Sequence, residues 1–262
     1  MSSQMPDFLS PLVLPPSAKH THTLIFLHGR GGTSDSFGPP FFAAFPAYPG
    51  LKTIFPTPSK TFSHKHYRDI PQWFSLTHSV PSEEYTDEQL AGLRLSVEYL
   101  QQLIAAEVAA GIPANRILLG GFSQGVATAM LALLWGRWKL AGFVGLSGWL
   151  PFARELESAG GTESTIGKLE ELRVRVMKAE PREREVVAEV LRTPMWLGHG
   201  VNDEIVAYEE GRRVEGACVA LGMVVVWGGY PDWGHWYKVP EEIDDIVAFW
   251  CENCGLQPML KW

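Results

Sequence analysis

Residues 116–135 read RILLGGFSQGVATAMLALLW, and this stretch decides the fold class. The run RILL is typical of a buried strand, and the small and apolar residues from Gln124 onward predict a helix. Between them, Gly121-Phe122-Ser123-Gln124-Gly125 matches the pattern GxSxG. A serine on a tight strand–turn–helix connection needs small neighbours, because the backbone there is strained and closely packed. The stretch therefore predicts a nucleophile elbow at Ser123, and a glycine-rich turn with a capping serine is the alternative.

Apolar runs and helical patterns alternate on both sides of this stretch. The predicted strands lie at 22–27, 53–55, 116–119, 142–146, 195–197 and 223–227. The predicted helices lie at about 86–111, 124–135, 205–221 and 240–252, and the first of them begins with a capping box formed by Thr86 and Gln89. Strands that alternate with helices indicate a mostly parallel sheet with helices on both faces.

The length of 262 residues favours one domain of this kind. Residues 1–20 are rich in proline and serine and predict an extended arm before a domain at 21–262, and residues 59–85 have the composition of a loop. Charged residues dominate the later part of a segment at about 152–192, which predicts two amphipathic helices inserted on the surface. A solvated insertion is one interpretation, and a lid over a pocket at the rim of the sheet is the other.

Composition argues against several functional classes. The net charge is −7 and no basic block is present, so nucleic acid is not an expected partner. The N-terminal residues do not have the pattern of a signal peptide, and no apolar run approaches the ~18 residues of a membrane span. Three cysteines are too few for a disulfide framework, and the CxxC at Cys251–Cys254 has no second pair for zinc. We therefore expect a cytoplasmic protein without metal or cofactor.

A serine hydroxyl is a poor nucleophile unless a base removes its proton, and in this fold class the chain order is serine, acid, histidine. Only His199 and His235 follow Ser123 in the sequence. His199 precedes the nearest acid by four residues on the same predicted loop, so we interpret it as structural and assign the base to His235. Asp203, just past a strand end, is the preferred acid. The alternatives for the acid are Glu204 and Asp232.

A third requirement is a pair of N–H groups aimed at the developing oxyanion. The residue after the nucleophile, Gln124, supplies one amide. The other is expected from His28-Gly29-Arg30-Gly31-Gly32 at the end of the first buried strand, and we assign it to Arg30. A plain glycine turn is the alternative at this position. His28 is interpreted as a brace for the turn.

Six sequence blocks together resemble one known family. They are LHGRGGT (27–33), QWFSL (72–76), GIPANRILLGGFSQG (111–125), LAGFVGLSGWLP (140–151), GHGVNDEIV (198–206) and GHWYKVP (234–240). In this order they are similar to the phospholipase/carboxylesterase family, which includes acyl-protein thioesterases and lysophospholipases of the α/β-hydrolase fold. The resemblance runs from about residue 21 to residue 252.

The resemblance implies a Ser123–Asp203–His235 triad, with the Arg30 and Gln124 amides as the oxyanion hole. It also implies an acyl pocket beside the strand end at 147–151. The expected substrate-binding residues are Trp73, Trp149, Leu150, Val206 and Trp236. Three positions depart from the family pattern: Arg30 replaces an apolar residue, Val126 replaces a glycine, and Ser75 replaces an acid.

The expected reaction is two-step acyl transfer, in which Ser123 attacks an ester or thioester and water releases the acyl group. The substrate would be a small or lipid-like ester, or an acylated protein. Alternatives within the enzyme class are a long-chain acyl-protein thioesterase and a lysophospholipase. The alternative from another class is a non-catalytic ligand-binding protein on the same scaffold.

Overall fold

The computed structural model describes residues 8–63, 65–76 and 84–259, which form a layered α/β structure. The strands are β1 (Leu9–Leu14), β2 (His22–Leu27), β3 (Leu51–Thr57), β4 (Lys60–Ser63), β5 (Arg68–Pro71), β6 (Ile117–Phe122), β7 (Gly142–Leu146), β8 (Met195–Gly200) and β9 (Val225–Tyr230). The helices are α1 (Ser34–Ala43), α2 (Asp87–Ala109), α3 (Gln124–Leu134), α4 (Ala153–Glu157), α5 (Thr162–Met177), α6 (Arg184–Leu191), α7 (Tyr208–Ala220) and α8 (Glu241–Asn253).

Seven of these strands form the central sheet, in the order β1-β3-β2-β6-β7-β8-β9. β1 pairs antiparallel with β3, and all other pairs in the sheet are parallel. β4 and β5 form a separate antiparallel hairpin. The predicted fold class, a mostly parallel sheet of the α/β-hydrolase type with helices on both faces, is confirmed.

Both faces of the sheet are covered, which explains why its central strands are apolar throughout. Every residue of β2, β6, β7 and β8 is buried. One face packs on a core shared with α2, α3, α5, α6 and α7, and the other packs on the aromatic side chains of α1 and α8. The sheet is therefore a rigid platform whose strand ends position the loops of one edge.

The capping signals of the longest helix act as predicted. The Thr86 side chain accepts a hydrogen bond from the Gln89 amide, and the Gln89 side chain accepts one from the Thr86 amide. The helix ends at Ala109, and Gly111 then adopts a φ of +98°. Within the described ranges, no helix is long and apolar enough to cross a membrane.

The charged segment contains α4, α5 and α6, and the two predicted amphipathic helices correspond to α5 and α6. Their buried residues, Leu169, Leu172, Val176, Val187, Val190 and Leu191, join the core on the α2–α3 face of the sheet. Charged residues on the outer surfaces pair with one another, as Arg184 does with Glu163. The insertion is thus a second helical layer over α2 and α3.

Two local predictions were wrong, and one helix was not predicted. Residues 9–14 of the predicted arm form β1, which pairs with β3 along the edge of the central sheet. The predicted loop at 59–85 contains the β4–β5 hairpin, although residues 64 and 77–83 of that loop lie outside the described residues. Finally, α1 was not predicted because it contains Pro39 and Pro40.

Candidate active site

Ser123 occupies the sharp turn between β6 and α3. Its φ of 55° and ψ of −121° are unusual for a residue with a side chain, and such strain is typical of functional positions. An added Cβ at Gly121 would lie 2.5 Å from the carbonyl carbon of Gly125, and one at Gly125 would lie 2.6 Å from the carbonyl oxygen of Leu27. Both glycines of the GxSxG pattern are therefore required by close backbone packing.

Two further loops bring an imidazole and a carboxylate to this serine. The Nε2 atom of His235 lies 2.9 Å from the Ser123 Oγ, and its Nδ1 lies 2.7 Å from the Asp203 Oδ2. Ser123 follows β6, Asp203 follows β8 and His235 follows β9, so three parallel strands end at one edge of the sheet. Glu204 and Asp232, the alternative acids, are exposed.

The Asp203 carboxylate is buried, and both of its oxygens accept hydrogen bonds. Its Oδ1 accepts the Ile205 and Val206 amides at 2.8 and 2.9 Å, and its side chain has 0% exposure. Burial by itself raises the pKa of Asp203, but the hydrogen bonds from His199, His235 and the Val206 amide more than offset this. The pKa of Asp203 therefore lies well below its usual range, and the group is a carboxylate at neutral pH.

His199 has a second contact that sequence reasoning missed. His199 lies within β8 and not on the predicted loop, and its Nε2 lies 2.9 Å from the carbonyl oxygen of Val206, which fits the expected structural role. The same atom lies 3.2 Å from the Asp203 Oδ2, the oxygen that also faces His235. Its spacing of four residues from Asp203 was the available signal. His199 thus helps to fix the carboxylate in position.

The two predicted oxyanion residues, Arg30 and Gln124, line the same cavity as Ser123. Gln124 is the first residue of α3, where a backbone N–H has no acceptor within the helix. Within the described part of the chain, neither amide donates to a backbone or side-chain acceptor. The two N–H groups are therefore available to a ligand beside the serine.

The side chain of Gln124 joins the elbow to the segment that contains Trp73. Its Oε1 accepts the Trp73 amide at 3.1 Å, and its Nε2 donates to the Phe74 carbonyl at 2.8 Å. The Trp73 indole N–H donates in turn to the His28 carbonyl at 2.8 Å. Burial lowers the pKa of His28 to about 4, so its ring is neutral, consistent with a bracing role. This network fixes the backbone on both sides of the oxyanion position.

A cavity of about 280 Å³ opens in front of Ser123. Of the five predicted substrate-binding residues, Trp149 and Val206 line this cavity. The other three are not among its described lining residues: Trp73 and Leu150 are buried in the core, and Trp236 packs edge-on against Phe122 at 5.0 Å. A role for these three in substrate binding stays a prediction.

Other lining residues were not predicted. Lys65 and His66 come from the turn of the β4–β5 hairpin, and Leu76 and Ile205 supply apolar surface. No residue of the 152–192 insertion is among the described lining residues, so the lid interpretation is not borne out by this arrangement. Its helices are held on the α2–α3 face by their own apolar stripes.

Val126 is one of the departures from the family pattern, and its side chain packs against Gly148. An added Cβ at Gly148 would lie 2.3 Å from the Cβ of Val126 and 2.9 Å from the carbonyl oxygen of Ser123. Gly148 therefore leaves the space that the Val126 side chain fills. The larger residue is accommodated without displacing the elbow.

Comparison with known proteins agrees with this architecture. A model of the phospholipase/carboxylesterase family matches residues 10–169. The chain is 32% identical to an acyl-protein thioesterase 1 of Cryptococcus neoformans over 264 residues, which covers 95% of this chain and 99% of that protein. The chain belongs to the phospholipase/carboxylesterase family. The predicted resemblance is thus confirmed, and with it a hydrolase that acts on carboxylic esters or thioesters.

Two further relatives agree with this assignment. The chain is 32% identical to an acyl-protein thioesterase 1 of Gibberella zeae, with coverage of 92% of this chain and 94% of the relative. The crystal structure of Zea mays acyl-protein thioesterase 2 superposes with a TM-score of 0.71 at 28% identity, covering 94% of this chain and 99% of the maize chain. The similarity to this family therefore extends over nearly the whole fold.

Proposed function

We propose that Ser123, His235 and Asp203 act as a catalytic triad in this family member. The observation that carries the proposal is the continuous chain of contacts from the Ser123 Oγ through His235 to a buried carboxylate. His235 would take the serine proton as the hydroxyl attacks the carbonyl carbon. Asp203 would hold the His235 Nδ1–H and stabilise the imidazolium that forms.

The Arg30 and Gln124 amides would bind the oxygen that becomes negative in the tetrahedral intermediate. Each such donor typically contributes about 3–4 kcal/mol to transition-state stabilisation. His235 would then protonate the departing alcohol or thiol and later activate the water that releases the acyl group. The acyl group would be held as an ester on Ser123 between these two steps.

The size of the cavity supports a substrate with an acyl group of short to medium length, because only a group of that length would be fully enclosed by protein. Its volume of about 280 Å³ lies just below the ~300–1,000 Å³ typical of pockets that enclose a drug-sized ligand. Leu76, Phe122, Trp149, Ile205 and Val206 supply its apolar surface. A long chain would have to extend beyond the mouth of the cavity.

The second candidate is an acyl-protein thioesterase or lysophospholipase that takes long acyl chains. The names of the fungal and maize relatives favour it. An acylated protein or a lipid-like ester would then be the partner. The two candidates share the same chemistry at Ser123 and differ in acyl length and leaving group.

The deciding experiment is hydrolysis of p-nitrophenyl esters from C2 to C16, followed by the matching thioesters, with Ser123→Ala as the comparison. We expect an optimum at C4–C8 and complete loss of turnover in Ser123→Ala, with an unchanged thermal melt. An optimum at C12–C16 would support the long-chain candidate. Activity retained in Ser123→Ala would refute the triad, and failure of a fluorophosphonate to label Ser123 would revive the binding-protein alternative.

We also propose that one domain includes β1 and extends through α8, and that the protein acts in the cytoplasm. β1 supports the first proposal because it pairs along the edge of the same sheet. The unpaired thiols of Cys218, Cys251 and Cys254 support a reducing compartment.

A further inference from the structure

The cavity in front of Ser123 is lined by two kinds of side chain. One group is apolar, as described above. The other group consists of Lys65 and His66 from the hairpin turn, together with Arg30. No aspartate or glutamate is among the described lining residues. The cavity that contains the reactive serine is therefore lined by the basic side chains of Arg30 and Lys65, without a carboxylate among its described lining residues.

The charge of Arg30 is held in place by neutral acceptors. Its Nε donates to the Gln72 Oε1 at 3.0 Å, and its Nη2 donates to the Ser63 Oγ and the Leu76 carbonyl, each at 3.0 Å. These bonds fix the guanidinium against the base of the hairpin and satisfy part of its hydrogen-bonding capacity. They leave its positive charge uncompensated, because each acceptor carries only a partial charge.

Two further basic residues of the hairpin are Lys65, in its turn, and Arg68, the first residue of β5. Across residues 8–63, 65–76 and 84–259, no carboxylate lies within ion-pair distance of Arg30, Lys65 or Arg68. Arg182 and Arg192, by contrast, pair with Glu170 and Glu189. Arg30, Lys65 and Arg68 all act electrostatically on His66, so these three cations lie near one another beside the cavity.

The electrostatic environment of His66 shows that these charges act on one another. Its pKa is lowered first by desolvation and then by repulsion from Arg30, Lys65 and Arg68. The protein as a whole carries a net charge of −7, so the opening has the opposite sign to the rest of the molecule. Clefts lined by one sign of charge concentrate ligands of the opposite sign.

We propose that the preferred substrates are esters or thioesters that carry an anionic group, a carboxylate or phosphate, within reach of the hairpin turn. The proposal rests on the function proposed above and specifies its substrate class. Lys65 would contact the anion directly, and the immobilised guanidinium of Arg30 would add a positive potential that costs no reorganisation on binding. The apolar lining residues would hold the uncharged part of the molecule beside Ser123.

Two matched pairs of probes test the proposal and distinguish the acyl side from the leaving-group side. For the acyl side, mono-p-nitrophenyl glutarate is compared with p-nitrophenyl pentanoate, which has the same number of acyl carbons without the charge. For the leaving-group side, 4-(butyryloxy)benzoate is compared with its methyl ester. Each pair is assayed for kcat/KM with the wild type, Lys65→Gln, Lys65→Glu and the control Lys139→Glu, which changes an exposed lysine that does not line this cavity.

We expect Lys65→Glu to lower kcat/KM for at least one anionic probe by about tenfold and for its neutral partner by less than about twofold. Lys65→Gln should give an intermediate loss, and Lys139→Glu should change neither probe. Salt at 0.5 M should reduce only the anionic reaction, and the pair that responds identifies the side of the carbonyl that carries the charge.

Equal losses for charged and neutral probes would show that the hairpin has only a structural role, and no loss for either pair would exclude the anion contact. Both results would overturn the proposal. Hydrolysis of the neutral esters that survives in Ser123→Ala would instead refute the triad, so the two failures are distinguishable.

Discussion

Glu242 is a buried carboxylic acid beneath the loop that carries His235, and replacing it with glutamine should stabilise the protein most at alkaline pH. The residue is 1% exposed, and its Oε2 accepts the Lys238 amide at 2.7 Å. Its Oε1 has no partner among the described residues. Desolvation, together with repulsion from Asp245, raises the pKa of Glu242 to about 8, although the Lys238 amide partly opposes this.

The direction of the change in stability with pH follows from which state, folded or unfolded, holds the proton on Glu242. The folded state retains the proton up to about pH 8, whereas the unfolded chain loses it near the ordinary value of 4.5. The stabilisation from this group is therefore complete below pH 4.5 and is lost as the pH rises towards 8. Since each pKa unit corresponds to about 1.4 kcal/mol, Glu242 should lower the free energy of unfolding by up to about 4 kcal/mol between pH 5 and pH 8.

Glu242→Gln keeps an oxygen for the Lys238 amide and cannot ionise, so it removes this dependence. The assay is urea unfolding of both proteins at pH 5, 6, 7 and 8, with the difference in free energy taken at each pH so that other titrating groups cancel. The matched control is Glu241→Gln, an exposed neighbour on the same helical turn. We expect the difference for Glu242→Gln to rise steadily with pH. Parallel curves for Glu242→Gln and wild type would refute the reasoning.

Gly125→Ala should lower the free energy of unfolding by about 2 kcal/mol or more and abolish ester hydrolysis, because the new Cβ would lie 2.6 Å from the Leu27 carbonyl oxygen. Thermal melts alongside Gly167→Ala test this, since Gly167 lies exposed in α5 with no atom near its missing Cβ, and alanine there should add about 0.5–1 kcal/mol. A Gly125→Ala variant as stable as wild type would contradict the packing argument. His199→Ala should reduce kcat by about tenfold with little change in KM, because one of the donors to the Asp203 carboxylate is lost. Unchanged kcat in a folded variant would show that the other donors suffice.

Contacts that depend on strand ends were predictable from the sequence. The contacts among Ser123, His235 and Asp203 could be predicted because each residue lies in the turn or loop after a predicted strand, and parallel strands bring their carboxyl ends to one edge. The helix at α2 was readable for a similar reason, since its capping box and apolar spacing are both local signals. At these strand ends and in α2, the structure that the local sequence favours is the same as the structure that the fold requires.

Sequence reasoning failed where distant contacts decide the local structure. β1 contains Pro11 and has no clear alternation, and it is a strand because it pairs with β3. α1 tolerates two prolines because its capping box at Thr33 and the stacking of its aromatic residues on Phe26 fix it in place. The hairpin turn with Lys65 is positioned by the Arg30 side chain, which lies more than 30 residues earlier in the chain.

The close approach of Gly148 couples the wall of the active site to the position of the nucleophile. While valine occupies position 126, a side chain at 148 would meet its Cβ at 2.3 Å. Shortening residue 126 would not by itself open position 148, because an added Cβ would still lie 2.9 Å from the carbonyl oxygen of Ser123. A side chain at 148 would therefore have to move the backbone that holds Ser123, so the pocket cannot be narrowed at this position without also changing the geometry of the attacking hydroxyl.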